Sequence, residues 1–506
     1  MAAAPQTCGA AGARATDDSA IEALDVAERS RNRALEDYLE LARMRDRTRA
    51  ASPAEEKRRA LFETLAARRM QIESLSQSAS PGDPRLRVLQ LEVTSMKRDI
   101  DILDSEIAAP LRQGAARSRS AARLRTAIET IPAGAAVIEY WLGNDNTYAW
   151  LIFKGRVRMV DLGPTSRVVA AASRLHDSLR RFANVPAEER VQRATELYSL
   201  IVAPLPADAM SAQSIYFVPD GALHYVPFAL LASNSGGQVR YLIEDHDVAV
   251  APSLLFSAAT ADKARTSASP AVLIVSDPVY TQADARFGNA RSSPPAGALR
   301  GGSSKREWPR LIGSQREATA ISALFPAGTV DSLAGFEATR DSFLNRDLAR
   351  YNILHIATHG LADAEAPQLS TLVLSSYDRA GRAIPGDVFA GDLLLRRLDA
   401  DLVVLSACET SIGAQSAGEG LLGLRYAAHA SGARSVVASL WPVADAVGAQ
   451  LMADFYSRVV RERMTPTAAL SQAMRAAKSR WQDPALWGVF EVSRVVREPA
   501  GKSALH

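Results

Sequence analysis

Four short, mostly apolar runs constrain the fold of this chain more than any other feature: Ala271–Ser276, Ile353–Ala357, Leu402–Leu405 and Val436–Leu440. A run of five or so apolar residues without alternation belongs to a strand covered on both faces, which is the situation inside a parallel sheet. The intervening stretches support that arrangement. Helix-like residues 315–325 lead to Thr329-Val330-Asp331, helix-like residues 339–348 lead to Ile353, and a further helix around 420–430 leads to Val436. Leu372–Leu374 and residues 393–398 add shorter apolar pieces to the series. Strand and helix in alternation predict an α/β fold, with a mostly parallel sheet sandwiched by helices. In open sheets of this kind ligands gather beyond the carboxyl ends of the strands.

A different regime precedes this. Residues 19–131 are rich in Ala, Arg, Glu and Leu, and the apolar positions Leu86, Leu89, Val93, Met96, Ile100, Leu103 and Ile107 step by three and four along one helix face. Leu61, Leu65, Ile72 and Leu75 make a weaker seam before it, and Pro81-Gly82-Asp83-Pro84 is strong turn chemistry between the two. This reads as a helical hairpin or bundle, either packed on its own chain or offering a docking surface to a regulator or a second protomer. No 34-residue tetratricopeptide periodicity is visible in it.

From Ala136 the period shortens. Val137–Leu142 and Tyr148–Phe153 flank Gly143-Asn144-Asp145-Asn146 as a hairpin, and Ser214–Val218 runs into Pro219-Asp220-Gly221. The predicted organisation is a disordered terminus over residues 1–18, a helical region over 19–131, a first α/β unit over 132–265, a second over 266–495, and a flexible end over 496–506. Inside the second unit, residues 280–309 are crowded with Gly, Ser, Pro and Arg, and read as a long surface loop. Its Arg286, Arg291, Arg300, Lys305 and Arg306 also make it a candidate for proteolytic processing.

Composition narrows the function classes. With 506 residues the chain is too long for one core, and its 47% hydrophobic and 23% charged content is that of a packed globular protein. Fifty-nine basic against 56 acidic side chains give a formal charge of +3, too balanced for counterion-driven nucleic-acid binding. No run approaches the ~20 apolar residues of a membrane span, and residues 1–20 lack a basic segment followed by an apolar one. A reducing cytoplasm is the expected compartment. The seven histidines show no ligand pairs at zinc spacing, so neither a metal nor a cofactor is expected. Gly301-Gly302-Ser303-Ser304-Lys305 lacks the order of a phosphate-binding loop.

Two of the apolar runs end in reactive residues. Leu402–Leu405 continues through Ser406-Ala407 to Cys408, and Ile353–Ala357 continues through Thr358 to His359-Gly360. The other cysteine, Cys8, lies in the Ala/Gly-rich terminus, so a disulfide framework is not expected. If both strand ends face one crevice, Cys408 can serve as nucleophile and His359 as its proton partner or as the acid for a leaving amine. A following helix would turn its first amides toward the sulfur. The backbone amides of Gly360 and Cys408 are the oxyanion-hole candidates, a role worth about 3 kcal/mol per donor. The bland alternatives are a hydrogen-bonded histidine and a small buried thiol. His355 is a rival base on the same phase of the strand, and reads as core support. The separation, 408 − 359 = 49, is close to the caspase offset of about 50.

The wording around these residues resembles the CHAT family of caspase-like cysteine peptidases. The resemblance is carried by Leu354-His355-Ile356-Ala357-Thr358-His359-Gly360 and Val404-Leu405-Ser406-Ala407-Cys408-Glu409-Thr410, with Gly418–Leu424, Gly432–Trp441 and Val218–Phe228 in agreement. It implies a His359–Cys408 dyad in the second unit and a degenerate caspase-like half without catalytic residues in the first. It also implies a protein substrate, hydrolysed by an endopeptidase through a thioester. Leu440-Trp441-Pro442-Val443-Ala444-Asp445 is similar to a segment of separases in which the aspartate lines a pocket for a basic residue, so Asp445 would pair with a substrate Arg or Lys; otherwise Asp445 caps the helix that follows. A caspase-like interaction scaffold in signalling or defence, without strong catalysis, is the competing function.

Overall fold

The computed structural model describes residues 18–29, scattered positions of 53–75, then 83–112, 118–259, 271–287, 308–361, 367–406, 419–441 and 445–496. Sixteen strands are formed by these residues. β1 (Ala135–Leu142), β2 (Asn146–Phe153) and β3 (Arg156–Pro164) make an antiparallel meander, and the Gly143 amide donates to the Asn146 carbonyl across the expected hairpin turn. A Cβ on Gly143 would sit 2.8 Å from that carbonyl oxygen, so the tight turn selects glycine. β4 (Ser214–Val218) lies parallel to β1; β5 (Ala232–Ser235) and β6 (Gln238–Tyr241) form a separate ribbon; β7 (Asp247–Val250) returns parallel to β4.

The second unit supplies β8 (Val272–Ser276), β9 (Val330–Ala334), β10 (Ile353–Ala357), β11 (His359–Leu361), β12 (Thr371–Val373), β13 (Asp387–Phe389), β14 (Leu402–Leu405), β15 (Ser435–Ser439) and β16 (Phe490–Arg494). Eleven strands join one sheet in the order β3-β2-β1-β4-β7-β16-β15-β14-β10-β8-β9. All four apolar runs are in it, and β8, β10, β14 and β15 are buried at every position. Pairing from β9 across to β15 is parallel throughout, and β16 alone in this half runs against its neighbour β15. The units meet where β16 lies parallel to β7, at Ser493 opposite Val250. Gly488 lies against Leu230 there, so close that a Cβ would come within 2.4 Å of the leucine side chain. One continuous core therefore runs through both units.

Helices cover the second unit on both faces. Ile312–Ser322 packs with Asp445–Val460, which in turn packs with Pro466–Arg480; Ala390–Leu394 and Glu419–Ser431 form another pair. Residues 393–398, read as part of the strand series, are instead the end of helix Ala390–Leu394 and the turn after it. β11, β12 and β13 also leave the main sheet, forming a three-stranded antiparallel arm of their own.

The middle of the seam of helix Pro84–Arg112 packs on its own chain. Ile100, with Val93 and Met96 beside it, clusters with Leu65 and with Leu369 and Phe389 of the second unit. Val88, Leu91 and Ile102 remain exposed. Residues 18–29 form a further helix, whose buried Glu28 accepts the amides of Leu254 and Leu255 at 3.0 and 2.9 Å, closing the start of helix Leu254–Ala259. Both the expected disordered terminus up to residue 17 and the turn at Pro81-Gly82 fall outside the described residues, as does the end beyond 496.

Candidate active site

Strand order reverses between β8 and β10. β9 lies on one side of this pair, while β14 and β15 lie on the other, so the pair marks a topological switch point with a crevice beyond its carboxyl ends. His359 stands at that edge. Ile356 of β10 is level with Leu405 of β14, so the chain leaves β14 through Ser406 beside the exit from β10. Cys408 comes two residues after Ser406 and, with Glu409 and the residues up to 418, lies outside the described residues. Asp445 opens helix Asp445–Val460 after β15, on the same edge, and its side chain is likewise outside.

The local path explains why His359 is not simply the next strand residue. Buried Thr358 donates its hydroxyl to the Val373 carbonyl and exchanges a 2.9 Å hydrogen bond with the Tyr280 hydroxyl. These contacts turn the chain out of the sheet, and His359 and Gly360 then pair with Val373 and Leu372 as part of β11. His355 and His359 consequently do not share one strand phase, contrary to expectation. His355 lies fully buried among helices, with Nδ1 3.1 Å from the Tyr456 hydroxyl and Nε2 3.1 Å from Glu317 Oε1. Burial, with the Glu317 carboxylate adding to it, pushes the Tyr456 phenol well up, so Tyr456 stays neutral and able to donate. Both ring nitrogens of His355 thus meet polar partners in the core.

His359 is only 2% exposed. Trp308 stacks on its ring at 4.7 Å between centroids and 29° between planes, and Tyr280 leans against it at 4.9 Å. Its Nε2 lies 2.8 Å from the Pro309 carbonyl oxygen, which can only accept. Nε2 therefore carries a hydrogen, and in the neutral ring Nδ1 carries the lone pair. The His359 amide is 3.4 Å from the Tyr280 hydroxyl. Burial drives the Tyr280 phenol upward, keeping it a neutral hydrogen-bonding group. The result is a histidine ring held by stacking and by a directed hydrogen bond from Nε2, with a defined basic nitrogen.

Tyr280, Trp308 and Pro309 lie at the two ends of the segment read as a surface loop. Those ends are packed: Tyr280 and Trp308 cluster with Val373, and Arg286, offered above as a processing site, is instead paired with Asp277 and Asp284. Arg291, Arg300, Lys305 and Arg306 are outside the described residues. The one available sequence signal was the tryptophan itself, a large aromatic in a polar, Gly/Ser-rich stretch. Downstream, Gly423 explains part of the glycine-rich helix start. A Cβ there would lie 2.0 Å from the Pro367 carbonyl oxygen, so helix Glu419–Ser431 touches backbone with backbone in the connection from β11 to β12 of the His359 arm.

Among the described residues no helix is long and apolar enough to cross a membrane. The model of the CHAT domain matches residues 191–494. Tetratricopeptide repeat protein 28 of Mus musculus and of Homo sapiens are each 26% identical over 340 residues, covering 58% of this chain; the match spans only 13% of those longer proteins. The Saccharomyces cerevisiae separase–securin complex aligns over 86% of this chain and 37% of its own, at 7% identity and a TM-score of 0.47. The Arg-specific cysteine proteinase gingipain R aligns over 65% and 75%, at 9% identity and a TM-score of 0.33. The switch-point sheet is read from the chain itself, and the family from the match over 191–494: this chain belongs to the CHAT domain family.

Proposed function

We propose that this chain is a regulated cysteine endopeptidase in which Cys408 attacks a peptide carbonyl and His359 manages the proton. The observation that carries the reading is the level pairing of Ile356 with Leu405, which brings the exit of β14, three residues before Cys408, next to the exit of β10, two residues before His359 with its fixed tautomer. The Cys408 sulfur bonds to the carbonyl carbon, while the thiol proton passes to His359 Nδ1. The oxyanion is taken by the amides of Gly360 and Cys408. Collapse breaks the C–N bond, the amine leaves with the proton from His359, and a thioester remains. Water, deprotonated by His359, then releases the acid and restores the thiol. Asp445, on the neighbouring strand's exit, is the candidate partner of a substrate Arg or Lys.

Regulation through the N-terminal helices is supported by their position. Ile100 and Leu65 cluster with Leu369 and Phe389, residues that flank the ends of β12 and β13 in the same arm as His359. A protein binding those helices would press on that arm. The test of the central reading is incubation of wild-type and Cys408→Ala protein with casein, followed by mass spectrometry of new termini. New termini with wild type alone are expected; identical termini in both would sink the reading.

A further inference from the structure

The two walls around His359 come from separate segments. Tyr280 belongs to residues 277–287, which follow β8, and Trp308 and Pro309 belong to residues 308–310; twenty residues, 288–307, intervene. Besides their shared contacts with Val373 and the His359 ring, a carboxylate joins them. Asp277 is 3% exposed and accepts a two-point ion pair from Arg310, Nε to Oδ1 at 2.9 Å and Nη2 to Oδ2 at 2.6 Å. Arg286 approaches the same Oδ2 at 3.1 Å, donates to the Asp277 carbonyl at 2.8 Å, and is held by Asp284 at 2.8 and 2.6 Å.

Asp277 itself is held in an unusual conformation. Its φ of +47° lies in the left-handed region, which costs a non-glycine residue about 1 kcal/mol or more. Its amide donates to Ser314 Oγ at 2.9 Å, in the first turn of helix Ile312–Ser322. Residues kept in such a conformation by surrounding contacts cluster at functional sites. The Arg310 it grips follows directly after Pro309, the residue whose carbonyl accepts from His359.

We propose that Asp277 is a positioning residue. Through Arg310 it holds the Pro309 carbonyl at hydrogen-bond distance from His359 Nε2, and so fixes the tautomer that leaves Nδ1 basic. The role rests on the peptidase reading for its use, but the geometry it controls can be observed without turnover. A guanidinium makes the two parallel bonds to this carboxylate; a lysine in its place makes one.

The experiment is nitrogen NMR of the full chain labelled with ¹⁵N-histidine, with His359 assigned by its loss in His359→Gln. Wild type should show Nε2 protonated and Nδ1 bare in the neutral ring. Asp277→Asn and Arg310→Met should convert this to an average of both tautomers. Arg310→Lys, which keeps charge at a partly exposed position, should fall between and guards against loss of folding in the other two. Peptide cleavage, measured in parallel, should drop by about 10²-fold in Arg310→Met, as for a catalytic group displaced by ~1 Å. An unchanged His359 tautomer in folded Arg310 variants would overturn the proposal. Absence of cleavage by wild type, with the tautomer shift intact, would instead count against the peptidase reading alone.

Discussion

Gly423→Ala should weaken this protein even though alanine is the better helix former. Gly423 lies inside helix Glu419–Ser431, where exchange of an exposed glycine for alanine is ordinarily worth about 1 kcal/mol in favour of the folded state. Here the added methyl carbon would sit 2.0 Å from the Pro367 carbonyl oxygen and 2.6 Å from its carbonyl carbon. Ordinary contact begins at 3.4 Å, so a shift of 3.4 − 2.0 = 1.4 Å is required. The opposing group is backbone, not the free end of a flexible side chain, so the helix and the Pro367 segment must part. Overpacking of this sort costs about 1–3 kcal/mol, which exceeds or cancels the gain in propensity. Because Pro367 precedes β12 in the His359 arm and the helix follows the Cys408 segment, the same displacement should lower cleavage about 10²-fold. The assay is the urea unfolding midpoint together with the cleavage rate. A raised midpoint with normal cleavage would show that the helix does not press on Pro367, and would refute the reasoning.

Two further outcomes are expected. His429 is buried, its Nδ1 2.8 Å from the Ala433 carbonyl and its Nε2 2.9 Å from Ser493 Oγ, and burial pulls its pKa from 6.5 to about 4. The unfolded chain then binds more protons than the folded one below pH 6.5, so stability should fall as pH drops from 6.5 to 4. The urea midpoint of His429→Gln should show less of that decline; equal slopes would contradict it. Asp445→Ala should erase any preference for Arg or Lys before the scissile bond in a peptide-library cleavage profile, and an unchanged profile would remove Asp445 from the pocket.

The strands of the main sheet were legible because their signal is local. Val272–Ser276, Ile353–Ala357 and Leu402–Leu405 are apolar at almost every position, and each is buried at every position. The arm around His359 was not legible, since strands of three residues carry no period. What diverts the chain at Thr358 is a pair of hydrogen bonds to Tyr280 and Val373, 78 and 15 residues away in sequence. The same holds for the walls of the site. Trp308 and Pro309 stand 51 and 50 residues from His359 (359 − 308 and 359 − 309), and nothing in their polar neighbourhood announces the contact. Residues 393–398 misled for the opposite reason: Leu393, Leu394, Leu395 and Leu398 form a dense apolar cluster, but helix Ala390–Leu394, packed on helix Glu419–Ser431, takes in only the first two, and Leu395 and Leu398 lie beyond its end.

The claim that Cys408 is the thiol served by His359 is tested most directly by covalent trapping. Full-length protein would be treated with a peptidyl acyloxymethyl ketone ending in arginine, and the adduct located by peptide mass spectrometry. Because the chain has only two cysteines, Cys8 is an internal reference in every molecule. An adduct is expected on Cys408 and not on Cys8, greatly reduced by His359→Gln and absent when the protein is denatured before treatment. Equal labelling of both cysteines, or labelling of Cys408 that His359→Gln leaves unchanged, would contradict it.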